Sequence, residues 1–218
     1  MSVPWSSRFN TLTRIFAGEH DGAEFGKLLA REVKTIPIDS DLAASTSGVG
    51  AVNGAALSAV EYGDAVTHKT VITVTGLSVT MTDAGAAGCH GSHKVYDFPA
   101  GVIQLLGAVC DLSVTAGAGG IANGAAVVAS LGSVTAGTNN ATLTSTEADM
   151  VDSTAATLTA GVGAFDGHGS LVATGFDGHT TPVDVFLNLA VPDADSSASD
   201  TITVSGTITL TWINTGDY

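Results

Sequence analysis

The sequence predicts a mainly β protein: an antiparallel two-sheet β-sandwich, with jelly roll as the favoured topology, and a short helical N-terminal arm. Three observations predict it. Ala, Gly and Thr supply 32, 27 and 28 of the 218 residues, a composition of strands and turns, poor in the Lys, Glu and Leu of helices. The C-terminal run TITVSGTITLTWI alternates apolar and hydroxyl side chains from Thr201 to Trp212, the period of a half-buried strand. Basic and aromatic residues crowd the first 34 positions. Five of the seven Lys and Arg (Arg8, Arg14, Lys27, Arg31 and Lys34) stand there against four acids, a net +1, whereas residues 35–218 carry two basic and 17 acidic residues, a net −15.

These balances exclude function classes. An acidic chain lacks the basic face that replaces counterions on nucleic acid. No 18-residue apolar run exists to span a bilayer as a helix. The start MSVPWSSRFN has neither the apolar stretch nor the small-residue cleavage site of a secretory signal. The length suits one domain with an appendage, so the division expected is an anchoring arm over 1–34 and a β-sandwich body over 35–218.

In the arm, Phe9, Leu12 and Phe16 fall at i, i+3 and i+7 on one helical face, with Ser6 or Ser7 as N-cap. Residues 23–34 repeat the pattern through Phe25, Leu28, Leu29 and Val33, and Gly18, Gly22 and Gly26 divide the stretch into two short pieces. Helices this short are marginal alone, so the arm packs on its own body or on a partner chain. For a partner, the contact residues are Trp5, Arg8, Phe9, Leu12, Arg14, Ile15 and Phe16.

The body reads as eight to ten strands: 68–82, 93–98, 102–116, 125–136, 141–144, 170–176, 182–191 and 201–213 among them, divided by Gly, Asn, Asp and Ser turn clusters. In the last strand Ile202, Val204, Gly206, Ile208, Leu210 and Trp212 share a face, and Gly206 marks a bulge or bend. In PVDVFLNLAV, Val183, Val185, Leu187 and Leu189 share another. AGAGGIANGAAVVA (116–129) stays open between a helical turn from Ala122 and a loop entering a strand. Thr144 and Glu147 form a capping-box pattern and predict a short helix or tight loop. Residues 191–200 read as an acidic surface loop.

Candidate sites are few. GCHGSH gathers Cys89, His90 and His93, but a closed zinc site needs four ligands, usually in two pairs; a Gly-rich loop and free thiols at Cys89 and Cys110 are expected, with no metal and no other cofactor. FDGHG (165–169) and FDGHT (176–180) repeat at a spacing of 11. They are expected as turns at the two ends of one strand, with Asp166, His168, Asp177 and His179 as possible ligand-loop residues that do not converge on one ion. No nucleophile elbow, phosphate loop, zinc-protease or dinucleotide motif occurs, so no catalytic residue is assigned and no enzyme is expected.

The pieces His93-Lys94-Val95-Tyr96-Asp97-Phe98-Pro99-Ala100-Gly101, Leu106-Gly107-Ala108 and Thr142 through Asp149 resemble virion structural proteins of tailed bacteriophages, particularly capsid decoration (cement) proteins of marine phages. The resemblance covers about a quarter of the chain and carries no site motif. It implies a jelly-roll homo-oligomer, a trimer favoured over a dimer, made in the host cytoplasm, on the outer capsid surface of the virion, whose terminal arm touches the major capsid protein. Two alternatives stay open: a spike or fibre module recognising a host surface glycan, and a tail-tube or connector component.

Overall fold

The computed structural model describes residues 50–63, 67–117, 119–137, 142–169 and 174–216. The expected arm, with Trp5, Arg8, Phe9, Leu12, Arg14, Ile15 and Phe16, lies outside the described residues. The body is antiparallel β, the class expected. Its strands are β1 (Leu57–Gly63), β2 (Thr67–Asp83), β3 (Cys89–Asp97), β4 (Gly101–Ala116), β5 (Ala126–Gly132), β6 (Val151–Thr157), β7 (Val162–His168), β8 (Thr174–Gly178), β9 (Asp184–Val191) and β10 (Asp200–Asn214). Three single turns of 3₁₀-helix are the only helical pieces among the described residues.

One hydrogen-bonded path joins the strands in the order β6-β5-β9-β3-β2-β10-β4-β7, with β1 beside β2 and β8 on β4. The pairings nest: β2 with β10, β3 with β9, β4 with β7 and β8, β5 with β6. The ends of the path, β6 and β7, lie side by side; a Cβ added to Gly167 on β7 would come 2.9 Å from the Val151 side chain on β6. The sheet is therefore nearly closed into a barrel around one core. The hydrogen bonds run as one path through both halves. The two halves stay linked where Thr82 and Asp83 of β2 pair with His90 and Cys89 of β3.

β10 is the axis of one half, flanked along its length by β2 and β4. Its apolar face is that expected: Ile202, Val204, Ile208, Leu210 and Trp212 are fully buried. The register against β2 slips between Val204 and Gly206, and the extra β2 residue is accommodated at Gly76, whose φ is +62°. Gly206 itself has φ +139°, and a Cβ there would collide with the Asp111 carbonyl of β4, so only glycine fits this crossing.

β9 differs from its expected half-buried pattern. Val185, Leu187 and Leu189 are fully buried, and so are Asn188 and Ala190 on the opposite face. The second face is covered by the segment after β5, where Leu143, Val128 and Ala190 form a small cluster with Ala136 and Ala148 beside them. Thr144 and Glu147 do form the capping box around a 3₁₀ turn, Ser145–Glu147.

Other expectations are revised. Strands β1, β6 and β7 were not foreseen, residues 142–144 are not strand, and the strand expected over 125–136 ends at Gly132. GCHGSH is not a loop: it begins β3, held to β9 in the register Cys89–Val191 through His93–Leu187. Its Gly91 serves packing, since a Cβ there would collide with the Thr80 carbonyl of β2. The first FDGH copy, expected as a turn, is the end of strand β7; pairing with β4 overrides its turn chemistry.

Candidate functional site: a buried polar network around Glu61

Period two places Glu61 of β1 and His68 and Thr70 of β2 on the inner face, with Glu61 directly opposite Thr70 and His68 opposite Trp212 of β10. β3 joins them through a bulge. Its register against β9 slips between Lys94 and Tyr96, so the consecutive Val95 and Tyr96 are both buried. Four strands thus deliver five polar-headed side chains to one point.

The Glu61 carboxylate is the hub. Its Oε2 accepts from Thr70 Oγ1 at 2.8 Å and from Tyr96 OH at 3.1 Å, and its Oε1 lies 3.1 Å from His68 Nδ1. Thr70 Oγ1 in turn accepts from Trp212 Nε1 at 2.8 Å. With Glu61 as acceptor, the hydrogen on His68 belongs to Nδ1. His68 stacks on the Trp212 indole with centroids 4.0 Å apart and planes 7° from parallel, and Phe98 meets the edges of Trp212 and Tyr96. Glu61 is 8 % exposed and His68 1 %, and His68 Nε2 has no hydrogen-bond partner among the described residues.

The network also holds Gly50 and Ala51. Gly50 N–H donates to Tyr96 OH at 2.9 Å, and Ala51 and Asp97 exchange two backbone hydrogen bonds of 2.8 and 2.9 Å. Burial, reinforced by the Glu61 charge, pushes the Tyr96 hydroxyl well above its ordinary range. Glu61 orients an imidazole, which is half of an acid–base relay. Proton transfer would need a substrate within hydrogen-bond reach, and both side chains are sealed from solvent. The arrangement is suited to fixing Gly50 and Ala51 in place.

A second buried network sits on β9. Asn188 Oδ1 accepts from Ser92 Oγ at 2.6 Å and Ala136 N–H at 2.9 Å; its Nδ2 donates to the Val134 and Glu147 carbonyls at 2.9 and 2.7 Å. Ser130 Oγ donates to the Glu147 carbonyl at 2.7 Å, and the Glu147 carboxylate accepts from Gly137 N–H at 2.5 Å and Thr144 N–H at 3.3 Å. This network straps the segment between β5 and β6 onto the barrel.

The sequence-predicted residues fall elsewhere. Asp166 is exposed on β7, opposite Asp111 of β4. His168 ends β7. Asp177 lies on β8 opposite Val102, and its Oδ1 accepts from His179 N–H at 3.1 Å in the following bend. Phe165 and Phe176 pair with Leu112 and Ile103, about 30 Å apart along β4 at ~3.3 Å per residue. The two copies do not converge.

Cys89 and Cys110 are free and buried, as expected. Cys89 Sγ lies 3.5 Å from the Ala198 carbonyl, and burial pushes its thiol up; burial pushes Cys110 up to about 12, so both are poor nucleophiles. His93 Nε2 lies 2.9 Å from the Asn53 carbonyl. Among the described residues, no three His, Cys, Asp or Glu gather as metal ligands. Sequence reasoning missed the Glu61 network. The usable signal was the period of TVITVTGLSVT: carried back from Ile72, it turns Thr70 and His68 inward. Comparison with protein-family models, with curated proteins and with solved structures finds no match.

Proposed function

We propose that this chain is a non-enzymatic structural protein of a tailed-phage virion, which decorates and stabilises the capsid by bridging major capsid protein subunits. The fold reading that goes with it is a two-sheet jelly roll. What supports that reading is the strand order: β2-β10-β4-β7 and β3-β9-β5-β6 are two four-strand arrays whose pairs nest as in a long hairpin rolled up on itself. The protein acts as a homo-oligomer on the outer shell, with residues 1–34 as its anchor.

The observation that carries the proposal is the division of labour along the chain. A basic, aromatic segment of net +1 precedes an acidic body of net −15, and within that body Tyr96 and Asp97 hold Gly50 and Ala51 by hydrogen bonds. Burying about 400 Å² of apolar surface by the arm, at ~25 cal/mol per Å², contributes on the order of 10 kcal/mol before ordering costs, and repetition over a shell multiplies the effect.

The glycan-binding alternative draws less support, because Trp212, Tyr96, Phe98 and Phe165 are buried and supply no exposed aromatic platform. Copy number per particle, measured against the major capsid protein in purified virions, tests the proposal. A ratio near one to one agrees with a shell protein, whereas less than about one in twenty, far short of shell-wide repetition, points to a spike or connector and overturns it. Deleting residues 1–34 is expected to leave a folded body that no longer binds capsids; undiminished binding removes the arm from the mechanism.

A further inference from the structure

We infer that the outer face of β1-β2-β10-β4-β7 is a self-association surface, which pairs with the same face of a second copy of this chain about a two-fold axis. The face is flat in composition: Thr201, Thr203, Ser205, Thr207, Thr209 and Thr211 of β10 run along its middle. Among the described residues, five large apolar side chains are exposed, and four of them, Val60, Val102, Val109 and Val162, belong to the strands of this face. One rung crosses it as Val60, Val71, Thr209 and Val109, each directly opposite the next. Val109 is 54 % exposed and Val60 47 %. Such a methyl-and-hydroxyl surface carries fewer charges to desolvate than the rest of a body carrying −15.

The charges on this face select the occupant. Asp111 and Asp166 stand directly opposite each other on β4 and β7, a like-charged pair that is unfavourable by itself. Neither has a counter-ion among the described residues. Lys69 on β2 is exposed and likewise makes no ion pair among the described residues. Lys69 faces Thr211 and Asp111 faces Thr207, so they flank β10 on opposite sides, each two residues from Thr209. They therefore occupy opposite corners around Thr209. A two-fold axis lying in the face through Thr209, across the line that joins them, sets Lys69 of each copy over Asp111 of the other. Both unpaired charges are answered twice, by one operation, with the strands of the two copies crossing steeply as in orthogonal sheet packing.

The area is sufficient. Five strands ~4.8 Å apart and about 33 Å of β10 give roughly 700 Å² per copy, allowing for the shorter outer strands, close to the ~800 Å² per partner of a stable interface. This inference names the partner surface within the homo-oligomer of the proposed function, and its test needs no particles, so its failure and that of the capsid reading are separable.

The test is sedimentation equilibrium on the full chain. A dimer is expected; Lys69→Asp should weaken it at least tenfold, and adding Asp111→Lys to that variant should restore it. Both positions are exposed, and the rescue distinguishes a lost contact from a lost fold. A monomer at every concentration, a trimer, a dimer indifferent to Lys69→Asp, or failure of the double variant to recover would each overturn the inference.

Discussion

The barrel holds two buried polar networks, and they are built on opposite plans. The one on β9 is neutral at its centre: Asn188 uses both donors and both acceptor positions, and every partner is a backbone group or a serine hydroxyl. The one around Glu61 is centred on an acid and a histidine, and it leaves His68 Nε2 without a partner among the described residues. A saturated amide tolerates little else in its place, because among the described residues the Val134 carbonyl and the Ser92 O–H have no other partner. A carboxylate hub with an unsaturated neighbour has an alternative arrangement available. The first network is therefore the stiffer, and the second the more adaptable.

Removing the saturated amide breaks this comparison most forcefully. Asn188→Ala takes the partner from the Val134 carbonyl and from the Ser92 O–H in a fully buried site, while Ser130 still serves the Glu147 carbonyl and Ser92 Oγ still accepts from the Ala136 N–H, and should cost roughly 3 kcal/mol. Urea unfolding measures the loss, and limited proteolysis should find cleavage between Gly132 and Met150 before global unfolding. A loss below about 1 kcal/mol would mean that water or the segment itself replaces the amide.

Tyr96→Phe is the next largest. It removes one donor to Glu61, which keeps Thr70, and one acceptor for Gly50 N–H, so about 1–2 kcal/mol is expected. The sign with pH is also set. The folded Tyr96 holds its proton above the ordinary 10.0, so its contribution is fully present below pH 10 and is lost as pH rises above it, where only the unfolded chain releases the proton. The phenylalanine variant should lose stability less steeply above pH 10 than the parent; an equal slope would place the alkaline sensitivity elsewhere. Hydrogen exchange at Gly50 should quicken in the variant while Asn188 Nδ2 protection is unchanged.

Much of the fold was legible because it depends on local period. The alternation from Thr201 to Trp212, the bulge at Gly206 and the Thr144–Glu147 box are each written in a few adjacent residues. What was not legible depends on partners distant in the chain. FDGH reads as a turn, yet pairing with Asp111 and Cys110 draws Asp166 and Gly167 into β7. GCHGSH reads as a flexible loop, yet Gly91 is the clearance for Thr80. The Glu61 network was invisible for the same reason. Its members lie at positions 61, 68, 70, 96 and 212, and no spacing rule joins a glutamate to a tryptophan 151 residues later except the register of β1, β2 and β10.

The smallest expected effect sharpens the comparison most. Glu61→Gln keeps the size of the hub. Its amide oxygen can occupy the place of Oε2 and accept from Thr70 and Tyr96 as before, and its NH₂ then occupies the place of Oε1, facing His68 Nδ1. That contact survives only if the ring nitrogen becomes the acceptor, which moves the ring hydrogen to Nε2. Nε2 has no partner in the parent, so no existing bond opposes the move. The net cost should be under about 1 kcal/mol, against several for Asn188→Ala, although both variants alter the central group of a buried network. The ¹⁵N shifts of the His68 ring read the outcome directly: Nδ1–H in the parent and Nε2–H in the variant. A tautomer that stays on Nδ1, with a loss of about 3 kcal/mol or more, would mean that the Glu61 network is as rigid as the one on β9, and that the spare nitrogen gives it no second arrangement.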